Sequence, residues 1–116
     1  MDDGSIKLIN GPMFSKKTTT LIKELRNAKQ KYGSHNILAI KHSIDIRYDL
    51  EKIVTHDDTM EKAIAVPNLD IVRGIVNYFE NIKMIFIDEG QFFPHLQTFC
   101  QDMRDAGKHI VVAGLN

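Results

Sequence analysis

The sequence predicts an α/β fold, a three-layer parallel sheet with helices on both faces. Three observations carry that expectation. Short apolar runs alternate with helix-periodic segments along the whole chain. The run Met84-Ile85-Phe86-Ile87 is apolar at every position, as in a strand covered on both faces. Gly33 and Gly107 each close a helical segment shortly before the next apolar run. Strands linked by right-handed helical crossovers make a parallel sheet.

Taken in order, a first strand is expected over 5–9. Helix one is expected over 17–32, with Leu21, Ile22, Leu25, Ala28 and Tyr32 inward and Lys23, Glu24 and Lys29 facing water. Strand two is expected over 36–41, on the run Ile37-Leu38-Ala39-Ile40. A long polar stretch, 43–62, follows, and a third strand is expected over 63–66. Pro67 suits the first turn of helix two, which would bury Leu69, Val72, Ile75, Val76 and Phe79. Strand four is expected over 84–87. Pro94 opens helix three, with Leu96, Phe99, Cys100, Met103 and Ala106 inward, and strand five covers 110–113.

At 116 residues the chain fits one domain with a single core. Fifteen basic and fifteen acidic residues cancel, so nothing in the charge balance asks for nucleic acid. A local basic patch (Lys16, Lys17, Lys23, Arg26) suits a small polyphosphate instead. Cys100 is the single cysteine, which rules out an internal disulfide and a four-cysteine zinc site. The acidic start Met1-Asp2-Asp3 argues against a signal peptide, and no apolar run reaches the roughly 18 residues of a membrane span. A cytoplasmic protein with no membrane partner is therefore expected.

Chemistry concentrates in three places. Residues 6–20, IKLINGPMFSKKTTT, nearly spell the phosphate-binding pattern G-x-x-x-x-G-K-[ST] in a strand–loop–helix context. Backbone N–H groups of the loop and helix N-terminus would surround phosphates, Lys17 would reach the outer ones, and the Thr18 hydroxyl would ligate magnesium. Residues 85–94, IFIDEGQFFP, place Asp88 at the end of a buried strand, where a second magnesium-side carboxylate belongs, with Glu89 beginning the next loop. An acid there can equally cap a turn. Asp45-Ile46-Arg47-Tyr48, with Thr55-His56-Asp57 after it, occupies the polar stretch. Such loops are often only solvated, yet Arg47 is a residue type that neutralises a transferring phosphoryl group.

GPMFSKKTTTLI, Asp-x-Arg-Tyr with Thr-His-Asp, IDEGQFFP and the terminal VVAGLN, in that order and spacing, resemble the type II thymidine kinases of cells and large DNA viruses. The resemblance covers almost the whole chain. It implies the P-loop NTPase (RecA-like) version of the fold, and transfer of the ATP γ-phosphate to the 5′-hydroxyl of thymidine with magnesium. It also implies roles. Gly11, Pro12, Met13, Phe14, Ser15, Lys16, Lys17 and Thr18 would hold the ATP phosphates, joined by Asp88, Gln91 and Arg47. Thr18 and Asp88 would hold magnesium, and Glu89 would be the general base. Met13, Phe92 and Leu115 would pack around thymine, although core packing is the plainer reading for Leu115. Asp45 would lie near the metal and phosphates.

Two departures accompany the likeness. Lys16 stands where the pattern has its second glycine. A side chain there hinders close phosphate approach and, at positive φ, costs about 1–3 kcal/mol of strain. Weak or absent ATP binding is expected, restored at least partly by Lys16→Gly. The family also continues beyond Gly-Leu-Asn with another strand, a cysteine-built zinc site and a loop over the nucleoside. Residues 1–116 are accordingly expected to form a P-loop nucleotide-binding kinase domain without that zinc site. A sheet ending on its fifth strand is expected to expose an apolar edge there, favouring self-association, and family members tend to be tetramers. A catalytically silent P-loop domain that binds a nucleotide or protein partner without turnover is the alternative reading.

Overall fold

The computed structural model describes residues 3–11, 17–43, 52–54 and 60–115. Five strands form one all-parallel sheet: β1 (Ser5–Gly11), β2 (Ile37–His42), β5 (Ile64–Val66), β6 (Met84–Ile87) and β7 (His109–Leu115). Their spatial order is β1-β7-β6-β2-β5. Helix α1 (Lys17–Tyr32) follows β1, α2 (Leu69–Tyr78) follows β5, and α3 (Leu96–Asp105) follows β6. The α/β expectation is met. Within the long polar stretch read as a loop lie β3 (Lys52–Val54) and β4 (Met60–Lys62), an antiparallel pair outside the main sheet.

Alternation along each strand assigns the two faces. Ala39, Phe86, Val111 and Ala113 pack with Leu21, Ile22, Leu25 and Ala28 of α1. The intervening Leu38, Ile40, Ile85, Ile87, Ile110 and Val112 pack with α2 and α3 through Leu69, Val72, Val76, Phe99, Cys100 and Met103. A strand buried on both faces has no polar side to reveal it, which is why 84–87 reads as a continuous apolar run. Arg73 ties α2 to α3, its guanidinium 2.9 Å from Asp102 and lying over the Phe99 ring.

The helices start and stop by local chemistry. Asn68 caps α2, its side chain accepting the Ile71 N–H at 3.1 Å, so Pro67 precedes the cap and does not fill the first turn. Gly33 and Gly107 follow α1 and α3 at φ 88° and 85°, a backbone that favours glycine. Helix α3 begins at Leu96, two residues after Pro94, with His95 left-handed at its cap.

Three inward expectations and one outward expectation fail. Tyr32, Phe79 and Ala106, each at the C-terminal end of its helix, are exposed. Glu24 does not simply face water, since it pairs with Lys7 of β1 at 2.5 Å and is half-buried. The expectation of an exposed edge at the fifth strand also fails: β7 lies inside the sheet between β1 and β6, and the outer strands are β1 and β5. No helix among the described residues is long and apolar enough to cross a membrane.

Candidate functional site

All five sheet strands point the same way, so their carboxyl ends share one edge. That edge is stepped. Ile87, the last residue of β6, lies opposite Val112, whereas β7 continues to Leu115 and carries β1 with it, Gly11 facing Leu115. The strands that bear Gly11 and Asp88 therefore flank β7, about 10 Å apart at the usual strand spacing. The chain leaves β1 toward α1 on one face and leaves β6 toward α3 on the other. Strand connections diverging to opposite faces open the crevice in which ligands of open α/β sheets sit.

Around that crevice Lys17 is the first residue of α1 and is 8% exposed. Thr18 follows it in the first helical turn, where backbone N–H groups have no partner within the helix. Asp88 is 5% exposed, and its N–H donates to the Ile40 carbonyl at 3.0 Å, extending the β2–β6 ladder by one residue. A carboxylate this buried is held by neighbouring groups, because an uncompensated buried charge costs several kcal/mol or more.

Glu89 departs from the strand in the left-handed region, φ 53° and ψ 49°. For a residue with a side chain this costs about 1 kcal/mol or more, and such outliers gather at functional sites. A 3₁₀ turn, Gly90–Phe92, follows, with the Phe92 N–H bonded to the Glu89 carbonyl. The Gln91 side-chain amide donates to Glu89 Oε2. The turn lies flat on the step above β7: a Cβ at Gly90 would stand 2.5 Å from Val112 Cγ1, and one at Gly114 only 2.9 Å from Gln91 Oε1. Two glycines thus let the acid-bearing turn pack closely on β7, with no room for a side chain at either position.

Phe92 and Phe93 divide the apolar part of this turn. Phe93 is core, while Phe92 is exposed at 43%, and the His42 ring at the end of β2 meets them at 4.8 Å and 6.1 Å respectively. Leu115 ends β7 opposite Gly11. Pro12, Met13, Phe14, Ser15, Lys16, Asp45, Arg47, Thr55, His56 and Asp57 lie outside the described residues. Gly11, Lys17, Thr18, Asp88, Glu89, Gln91, Phe92 and Leu115 are brought to one edge.

Sequence reasoning gave no role to His42 or Lys41. Lys41 is 3% exposed within β2. A lysine ending the run Ile-Leu-Ala-Ile was the available signal, because a cation that follows such a run along a strand is carried into the sheet. Cys100, by contrast, is a silent thiol on the far face: burial pushes it from 9.0 to about 11, so it stays protonated at neutral pH.

An all-parallel sheet in which the first strand ends at Gly11 and the next helix begins at Lys17, with an acid pair at the same edge, defines an α/β protein of the P-loop type. The family model described as thymidine kinase matches residues 4–116, and the chain belongs to that family. It is 42% identical over 116 residues to a thymidine kinase of rabbit fibroma virus (strain Kasza), covering all of this chain and 62% of that protein. It is 40% identical to a thymidine kinase of rice, covering 97% of this chain and 42% of the relative. Against the cytosolic thymidine kinase of Bos taurus it is 39% identical over 114 residues, 97% of this chain and 45% of the relative. The chain thus spans less than two thirds of the length of the curated relatives it matches.

Proposed function

We propose that residues 1–116 form the nucleotide-binding kinase domain of a thymidine kinase, which transfers the γ-phosphate of ATP to the 5′-hydroxyl of thymidine in the cytoplasm. The observation that supports this most is the juxtaposition of the end of β1 at Gly11 and the Asp88–Glu89 pair at one edge, on strands separated only by β7. Family membership supplies the substrate class. Zero net charge and the absence of a basic stripe in the sequence favour a nucleoside acceptor over nucleic acid. A homo-oligomer is the assembly that the family resemblance favours.

In this reading residues 11–18 surround the phosphates, with Lys17 neutralising the outer ones and the α1 N-terminus adding its dipole. Asp88 and the Thr18 hydroxyl would hold magnesium, and a buried carboxylate suits that hard cation, which otherwise relies on phosphate oxygens and water. Magnesium held there would supply positive charge that offsets the charge on the transferring group. Glu89 receives the proton of the nucleoside hydroxyl, contributing about 10²–10⁴ in rate, and Gln91 fixes one of its carboxylate oxygens. Arg47 and Asp45 serve the phosphates and metal, and Met13, Phe92 and Leu115 border the base. The remaining acceleration is in-line positioning, since phosphoryl transfer asks little covalent work of the protein.

Lys16 in the second glycine position favours a second reading, a silent P-loop domain that binds a nucleotide or a protein partner without turnover. One assay separates them: thymidine and labelled ATP with magnesium, added to this chain, its Lys16→Gly form and Glu89→Gln. Product that rises with Lys16→Gly and falls at least 100-fold with Glu89→Gln supports the kinase. No product from the chain or from Lys16→Gly supports the silent domain.

A further inference from the structure

Three charged side chains are buried among the described residues: Lys17, Lys41 and Asp88. All three belong to the α1 side of the sheet. Lys17 begins α1 itself. Lys41 is two residues beyond Ala39, and Asp88 two beyond Phe86, and both Ala39 and Phe86 pack with α1. Register brings the last two together. Ile40 pairs with Ile87, and the Asp88 N–H bonds to the Ile40 carbonyl, so Lys41 and Asp88 are the next residues along adjacent strands. Adjacent strands lie about 4.8 Å apart, well within the reach of a lysine stem. On its other flank Lys41 pairs with Ala65 of β5, which offers no polar side-chain group.

We propose that Lys41 is a positioning residue: its buried ammonium lies beside the Asp88 carboxylate and holds it, charged and aimed, at the nucleotide edge. This rests on the phosphate-site reading above and adds a residue to it. Two buried cations and one buried carboxylate leave a net positive charge at the edge, suited to a polyphosphate. With Lys41 beside it, Asp88 keeps its direction while Lys17 serves the phosphates. A lysine placed here only to fill space would be replaceable by methionine with little consequence, since the two side chains have similar length.

An unfolding cycle in urea tests the pairing without any nucleotide. Lys41→Met should lower the folded-to-unfolded ratio at least tenfold in the original chain, and less than threefold in an Asp88→Asn background. Equal effects in both backgrounds overturn the pair. Should Lys41→Met alone fail to fold, a folded protein on adding Asp88→Asn supports the pair, and continued failure overturns it. Positioning is read by calorimetry of ADP, with and without magnesium, in the Lys16→Gly chain. The affinity gained on adding magnesium should fall at least fivefold in Lys41→Gln and be largely kept in Lys41→Arg. An unchanged gain in Lys41→Gln overturns the positioning role. If the Lys16→Gly chain binds no ADP in either condition, the phosphate-site reading fails, and the unfolding cycle decides the pairing on its own.

Discussion

The two faces of the sheet are built for different ends. Beneath α2 and α3 the buried cluster is wholly apolar, from Leu38 through Phe99 to Val112. Beneath α1 the cluster is smaller and built from slighter side chains, Ala28, Ala39, Ala63 and Ala113 among them, and the three buried charges gather at its carboxyl end. Water is excluded from both faces, so charge was not put under α1 for want of a dry place elsewhere. One face carries most of the large apolar packing that holds the sheet, and the other spends part of its interior on groups that need a low dielectric to act strongly.

Substitutions can break or sharpen that contrast. The largest stability loss should come from the apolar face: Phe99→Ala removes a fully buried ring and should cost about 3–5 kcal/mol in urea unfolding. A loss under 1 kcal/mol would mean that the α2/α3 face does not anchor the fold. At the chemical edge the sign should reverse. Glu89→Gly releases a left-handed residue and should stabilise the chain by about 1 kcal/mol while abolishing the proposed base. Destabilisation by this change would show that the Glu89 side chain holds the turn together instead of straining it. Smallest of all, Lys7→Met should change stability by about 0.5 kcal/mol or less, because the Lys7 side chain is itself largely exposed where it meets Glu24.

Much of this architecture was readable from the residues. Helix α1 was expected over the residues it occupies, because a glycine stop and a clear 3.6-residue period bracket it. The failures share a cause. Tyr32, Phe79 and Ala106 continue the apolar stripe of their helices but fall at the ends, past the part that covers the sheet. Periodicity gives the angle at which a side chain leaves the helix and says nothing of where the underlying sheet stops. The fifth strand shows the complementary limit, since nothing local announces that β7 inserts between β1 and β6. The β3–β4 pair escaped because its two three-residue strands are too short to establish a period. At the site, Asp88 and Glu89 were marked by the strand they end. Lys41 was passed over because its meaning depends on a neighbour forty-seven positions away, which only strand register reveals.

The glycines at 90 and 114 have a mechanical consequence. Where side chains intervene between a loop and its support, small displacements are absorbed by rotation about their single bonds. Here the turn and β7 close on each other with only the Val112 side chain and the Gln91 amide at the contact, so the carboxylate of Glu89 inherits much of the stiffness of the strand beneath it. A methyl group added at Gly90 would press on Val112 and act as a shim, tilting the acid relative to the end of β1 with every proposed catalytic side chain still present.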